Sequence, residues 1–165
     1  MKTMIRVVFI CLGLILCPML PGQALAEESE LIVVASQPTY DSAIRWSSFL
    51  EVKEIPVKHI TASEFEGYKK EQYIVVMGIP TEPGEGDDLL KALLTEDEYR
   101  YVGQQGNRNI YIKSDVWNSD QTIIVFAGYN RAALNSARAD SKEEWWTLIS
   151  GWFDIEFDLL QLYGY

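Results

Sequence analysis

The sequence predicts an α/β fold: a three-layer sandwich with a mostly parallel sheet of about five strands and an antiparallel edge hairpin. Three observations predict it. Residues 31–35, 73–77 and 122–127 are unbroken apolar runs rich in β-branched side chains. A run without alternation suits a strand covered on both faces, as in a parallel sheet between helices. Stretches with apolar residues at helical spacing lie between the runs, which is the interleaving of βα units. Residues 27–165 are long enough for one domain with a core of its own and too short for two full ones.

The elements follow in order. Residues 27–30 are a polar lead-in to the first run. Ser36-Gln37-Pro38-Thr39 breaks the strand and offers a helix cap, after which Tyr40, Ala43, Ile44 and Leu50 recur at helical spacing until Pro56. Residues 57–62 alternate, with Val57, His59 and Thr61 on one face and Lys58, Ile60 and Ala62 on the other. That is the pattern of a second, more exposed strand. The run 73–77 is stopped by Gly78-Ile79-Pro80, and residues 81–88 read as a loop rich in Glu, Gly and Asp. Leu89, Leu90, Leu93 and Leu94 form a short apolar helical stripe. Thr95-Glu96-Asp97-Glu98 then has capping-box spacing and restarts a helix or turn, closed by Gly103 and Gly106. Residues 109–113 are a short strand, and a polar loop around Trp117 joins them to the run 122–127, which makes the edge hairpin. Gly128 ends that run. Asn130 is placed to cap a helix carrying Ala133, Leu134 and Ala137, and Ser141-Lys142-Glu143-Glu144 repeats the capping-box spacing before Trp145, Trp146, Ile149 and Trp152.

From 154 to 159 acids alternate with Ile155, Phe157 and Leu159, the period of a half-buried strand. Ile155, Leu159 and Leu162 also fit a helix. Either way the apolar face needs cover. It comes from the tail's own domain, or from another chain by strand addition or self-association.

Of the 165 residues, 14 are basic and 24 acidic. Residues 1–26 hold Lys2, Arg6, an apolar run from 7 to 16 and the ending Ala24-Leu25-Ala26. This is the layout of a secretory signal peptide cleaved after Ala26, and it predicts a secreted or periplasmic protein. The apolar run is half the ~20 residues a membrane span needs, so no membrane insertion is expected after cleavage. Leu16 precedes Cys17, where a lipid-anchor site wants a small residue. The remaining 139 residues carry 12 basic and 24 acidic side chains. A net charge of −12 disfavours nucleic acid and anionic lipid as partners. Cys11 and Cys17 both lie in the leader, so the mature chain has no disulfide, thiol nucleophile or cysteine ligand.

Candidate chemistry is sparse, and no cofactor is called for. Glu82, Glu85, Asp87 and Asp88 crowd the loop after the second run. They repel phosphate, and the loop has neither the P-loop nor the dinucleotide pattern. Calcium is the cation such oxygens favour, against a solvated loop whose Asp87 and Asp88 simply favour a helix start. Asp115, Asn118 and Asp120 fail the EF-hand spacing, which leaves a hairpin turn. His59 is the only histidine, no Gly-x-Ser-x-Gly elbow exists, and a structural role is expected for it. With 24 acids, carboxylate pairs suited to hydrolysis arise anywhere and single out no residue. The aromatics are more distinctive: five Trp and nine Tyr, all after residue 26. Trp117 falls in a loop. Trp145 and Trp146 are adjacent and so about 100° apart on a helix, which sets them against sharing one core layer. These three are the candidate ligand-binding residues, with at least one expected to be exposed.

Two stretches taken together resemble a known family. One runs Val75-Val76-Met77-Gly78-Ile79-Pro80. The other is Thr122 to Arg131, ending Ala127-Gly128-Tyr129-Asn130-Arg131, followed by a helix with Ala132, Ala133 and Ala137. They resemble an α/β domain of archaeal S-layer and related surface proteins, over about half of the mature chain. In that family a strand enters a Gly-Gly-Pro-like turn, and a later strand enters Ala-Gly-x-Asp-Arg and an alanine-rich helix. Here Ile79 replaces the second glycine and Asn130 the aspartate. The resemblance implies a non-enzymatic, structural or interaction role at the cell surface, and it supplies no catalytic residue. The expected function is therefore an exported, non-catalytic α/β module binding a protein or a cell-envelope component. The alternative is a glycan-binding protein using exposed aromatics, and a secreted carboxylate hydrolase is a third class.

Overall fold

The three apolar runs become adjacent parallel strands. The computed structural model describes residues 29–82 and 84–156. The expected leader with both cysteines, and the tail beyond 156, lie outside the described residues. In chain order the elements are β1 (Leu31–Val34), α1 (Gln37–Asp41), α2 (Ile44–Val52), β2 (Val57–Ile60), a 3-10 turn (Ala62–Gly67), β3 (Tyr73–Gly78), α3 (Glu85–Leu93), α4 (Glu96–Val102), β4 (Arg108–Ser114), β5 (Thr122–Gly128), α5 (Arg131–Asp140) and α6 (Lys142–Trp152). The strands lie in the order β2-β1-β3-β5-β4. Every neighbouring pair is parallel except the β4–β5 hairpin at the edge. The expected fold class is the observed one.

Register explains why the runs had to be apolar throughout. One row across the sheet reads His59, Val33, Val75, Ile124, Ile112. Its three central members are fully buried and its two edge members only partly so. Val33, Val75 and Ile124 face a layer made by Trp46 and Leu50 of α2, Leu134 of α5, and Trp146 and Ile149 of α6. Their chain neighbours Val34, Val76 and Val125 face the other layer, with Phe65, Leu90 and Val102. Each fully buried aliphatic side chain contributes about 1.5–3 kcal/mol.

Local signals decide the boundaries. The Asn130 side chain accepts from Ala133 N at 2.9 Å and starts α5. Thr95 and Glu98 form the expected capping box at the start of α4. Five expectations are corrected. Residues 61 and 62 do not continue β2, because Thr61 and Glu64 form a second capping box that opens the 3-10 turn and delivers Phe65 to the core. The helix expected from Tyr40 to Leu50 is two helices joined at Ser42 and Ala43. The loop 81–88 already turns helical at Glu85. Ser141 does not cap with its side chain: its hydroxyl donates back to Ala137 O at 2.6 Å, since α5 and α6 abut there with no spare residue for an entry turn. Past α6, Asp154 adopts a left-handed conformation (φ 53°). Ile155 N donates to Ser150 O at 2.8 Å, and Ile155 packs on the α2–α6 layer. Residues 154–156 are thus neither strand nor helix, which corrects the start of the expected alternation. No described helix is long and apolar enough to cross a membrane.

Candidate functional site

The structure does not bring the three sequence-predicted tryptophans together. Trp145 and Trp146 are 3% and 1% exposed and belong to one core layer, so the expectation that the pair would not share a layer is corrected. The reason is packing from two sides. Both project into the layer between the sheet and α2, where Trp145 meets Trp46 edge-on at 6.1 Å and Trp146 meets Phe49 at 4.9 Å. The 100° between them is accommodated because α2 lies over α6 as well as over the strands. Trp117 belongs to the opposite layer, where it is half-buried and edge-on to Phe65 at 5.1 Å.

The polar candidates are mostly held in local structure. His59 Nε2 lies 3.0 Å from Ala35 O, and its ring stacks on Tyr40 at 4.0 Å. Asp115 accepts from Asp120 N at 2.8 Å, and both have positive φ, which makes the hairpin turn. Glu82 pairs with Arg131 at 2.9 Å. Asp87 accepts from Lys91 at 2.7 Å and from the Tyr99 hydroxyl. Burial pushes the Asp87 carboxyl up, but the donations from Lys91 and Tyr99 outweigh it and hold the group below the usual range. Among the described residues no three or more His, Cys, Asp or Glu side chains are placed to share a metal.

A different place stands out on physical grounds. The β1→β2 connection carries α2 on one face of the sheet and the chain beyond β3 carries α3 and α4 on the other. β1 and β3 are neighbours, so their carboxyl ends mark a topological switch point, where doubly wound folds open a crevice. Beside it lies a cleft of about 490 Å³ between the α1–α2 joint on one side and α5 and the start of α6 on the other. The buried stripe of α5 is Ala133, Leu134, Ala137 and Arg138. Helical spacing therefore drives a guanidinium inward, and Arg138 is only 6% exposed. Its Nη1 donates to the Met77 sulfur at 3.4 Å and its Nη2 to Asn135 Oδ1. Asn135 Oδ1 also accepts from Ser42 at 3.4 Å. Burial pushes the Arg138 pKa down to about 10, which leaves it charged at neutral pH. Trp46 lines the same cleft, and its indole N–H is buried without a partner. Arg45 and Lys142 also line it, and among the described residues no Asp or Glu does.

Sequence reasoning missed this cleft. The available signal was Arg138 itself, four residues beyond Leu134 and so on the stripe already read as buried. No protein-family model matches the chain, and neither does any curated protein or solved structure.

Proposed function

We propose that this chain is an exported, non-catalytic α/β module that binds a protein or cell-envelope component, and that the outer side of α2 is its contact surface. The observation that carries this reading is on α2. Ile44 and Val52 are 63% and 59% exposed, the most exposed large apolar side chains among the described residues. They lie eight residues apart and so on one side of the helix, with exposed Ser48 between them. Apolar side chains grouped on one exposed helix side mark an interaction surface better than the same residues scattered. Ile44 also borders the cleft that holds Arg45 and Lys142, which gives the adjoining surface a positive rim on an otherwise acidic protein. Residues 1–26 support export, and the resemblance to surface-layer domains supports a role at the envelope. Burial of Trp145 and Trp146 favours a protein partner over a glycan, because it removes two of the three flat aromatic faces a sugar would need.

A photo-reactive residue at Ser48 tests this in cells exporting the full chain. The expected result is a discrete adduct with an envelope protein that disappears in Ile44→Glu/Val52→Glu, on a protein whose intact mass begins at Glu27. An absent adduct, an adduct indifferent to that double change, or a protein retaining residues 1–26 would overturn the proposal.

A further inference from the structure

We infer that the cleft between the α1–α2 joint and α5 is a binding site for a small organic carboxylate with an apolar body, its carboxylate held by the guanidinium of Arg138. The observation behind it is a buried cation without an anion. Arg138 is 6% exposed and among the described residues forms no ion pair; its two contacts are a thioether and an amide oxygen. Sulfur is a weak acceptor, and an amide oxygen carries no charge to offset a guanidinium. A buried charge in that state is costly unless something neutralises it. An acceptor-rich, negatively charged group answers that deficit.

The rest of the cleft narrows the class of ligand. Its lining includes Ala43, Ala139 and the two indoles of Trp46 and Trp145, so it offers an apolar wall next to the donors. Its volume of about 490 Å³ suits a small molecule rather than a peptide segment. A guanidinium presents parallel N–H groups in one plane, which match the two oxygens of a carboxylate. A free phosphate is strongly hydrated and more highly charged, and the apolar wall gives it nothing in return. Arg45 and Lys142, with no acid among the described lining residues, favour entry of an anion into a protein that otherwise repels it. The cleft also lies by the switch point, since Met77, which Arg138 touches, is the penultimate residue of β3.

The site adjoins the partner surface on α2, since Ile44 borders both, but it is argued from Arg138 and does not depend on that surface. The test uses the full mature chain with 3-phenylpropionate and hexanoate as probes, their uncharged amides as controls, and inorganic phosphate as the competing anion. Tryptophan fluorescence and thermal stability are the readouts. The carboxylates are expected to change the fluorescence and raise Tm in the range of about 0.1–10 mM, as suits ligands of this size. The amides and phosphate are expected to do neither. Arg138→Met should abolish the response. If Arg138→Met does not fold, Arg138→Lys replaces it, and about tenfold weaker binding is expected because the fork is lost. Amides that bind as well as the acids, a response unchanged by either Arg138 variant, phosphate binding more tightly than the carboxylates, or no response up to about 10 mM would each overturn the inference. The Ser48 adduct is read in the same variants, so failure of this site and failure of the α2 surface are told apart.

Discussion

Replacing Gly128 with alanine tests how the sheet and α5 are held together. Gly128 is the last residue of β5, paired with Arg108, and its backbone is not in the left-handed region, so alanine is conformationally tolerated. The obstacle is space. A Cβ there would stand 2.5 Å from Leu134 N and 2.9 Å from Ala133 C, and both are backbone atoms of α5. A flexible side chain can swing aside, but a helix backbone moves only as a unit. To relieve the clash α5 must shift outward by about an ångström, loosening the fully buried Leu134 and stretching the Asn130 cap. Overpacking costs about 1–3 kcal/mol, and a weakened cap adds about 1 kcal/mol. We expect Gly128→Ala to destabilise by about 3 kcal/mol in urea unfolding, a large share of the ~5–15 kcal/mol typical of a domain, with Tm about 10 °C lower. Gly151→Ala is the control. That glycine lies inside α6 with open space at its Cβ, and the same change there should gain about 0.5–1 kcal/mol through backbone entropy. If Gly128→Ala stays within about 0.5 kcal/mol of wild type, the argument for close helix–sheet contact is wrong.

Other outcomes follow from single contacts. Gly78→Ala would place its Cβ 2.5 Å from the Leu90 side chain, so Gly78→Ala and Leu90→Ala together should cost at least about 1 kcal/mol less than the sum of the two singles; strict additivity would refute this. Arg138→Met removes a buried charge. The fall in its pKa to about 10 corresponds to at most about 3 kcal/mol of destabilisation, and the donor lost to Asn135 offsets about 1 kcal/mol of that. A net gain of about 1–2 kcal/mol is expected at neutral pH. Because the folded pKa lies below the unfolded one, the penalty in wild type is complete below about pH 10 and fades above it, so the gap between the two proteins should be flat from pH 6 to 9 and narrow in alkali; a destabilised Arg138→Met would refute this. For Glu98, burial raises the carboxyl pKa, but Lys113 at 2.8 Å and the Thr95 backbone lower it further, to below its ordinary 4.5. That contribution is present above the ordinary value and lost as pH falls through the folded one. Glu98→Gln should therefore cost about 1 kcal/mol near neutrality, and the cost should shrink as pH falls below the ordinary carboxyl range, as read by urea midpoints; a cost independent of pH would refute this.

The wall of the proposed carboxylate site was only partly legible in the residues that form it. Ala133, Leu134 and Ala137 mark the inward side of α5, and Arg138 falls on that side by spacing alone. What could not be read is that among the described residues no carboxylate meets it. Any of 24 acids was a possible partner, and only the packing of α2 over α5 decides which of them come near. The tryptophan pair failed for a related reason. Helical geometry sets Trp145 and Trp146 about 100° apart, but whether the second direction meets water or another helix depends on α2, more than ninety positions away in the chain.

The residues alone determined the sheet. Unbroken β-branched runs have one economical use, between two covering layers, and Gly128, Asn130 and the Thr95–Glu98 box set element ends through bonds spanning a few positions. These signals are local or strictly periodic, so they survive without knowledge of the rest of the chain. The second capping box at Thr61 and Glu64 was equally local, but the alternation of residues 57–62 continued into it and masked it. Tertiary structure alone decided which side chains lost their solvent without gaining a partner. The buried Arg138 guanidinium and the orphan Trp46 N–H are each properties of a pair of surfaces. Burial is settled when α2, α5 and α6 close over the same face of the sheet, and no single segment carries that information.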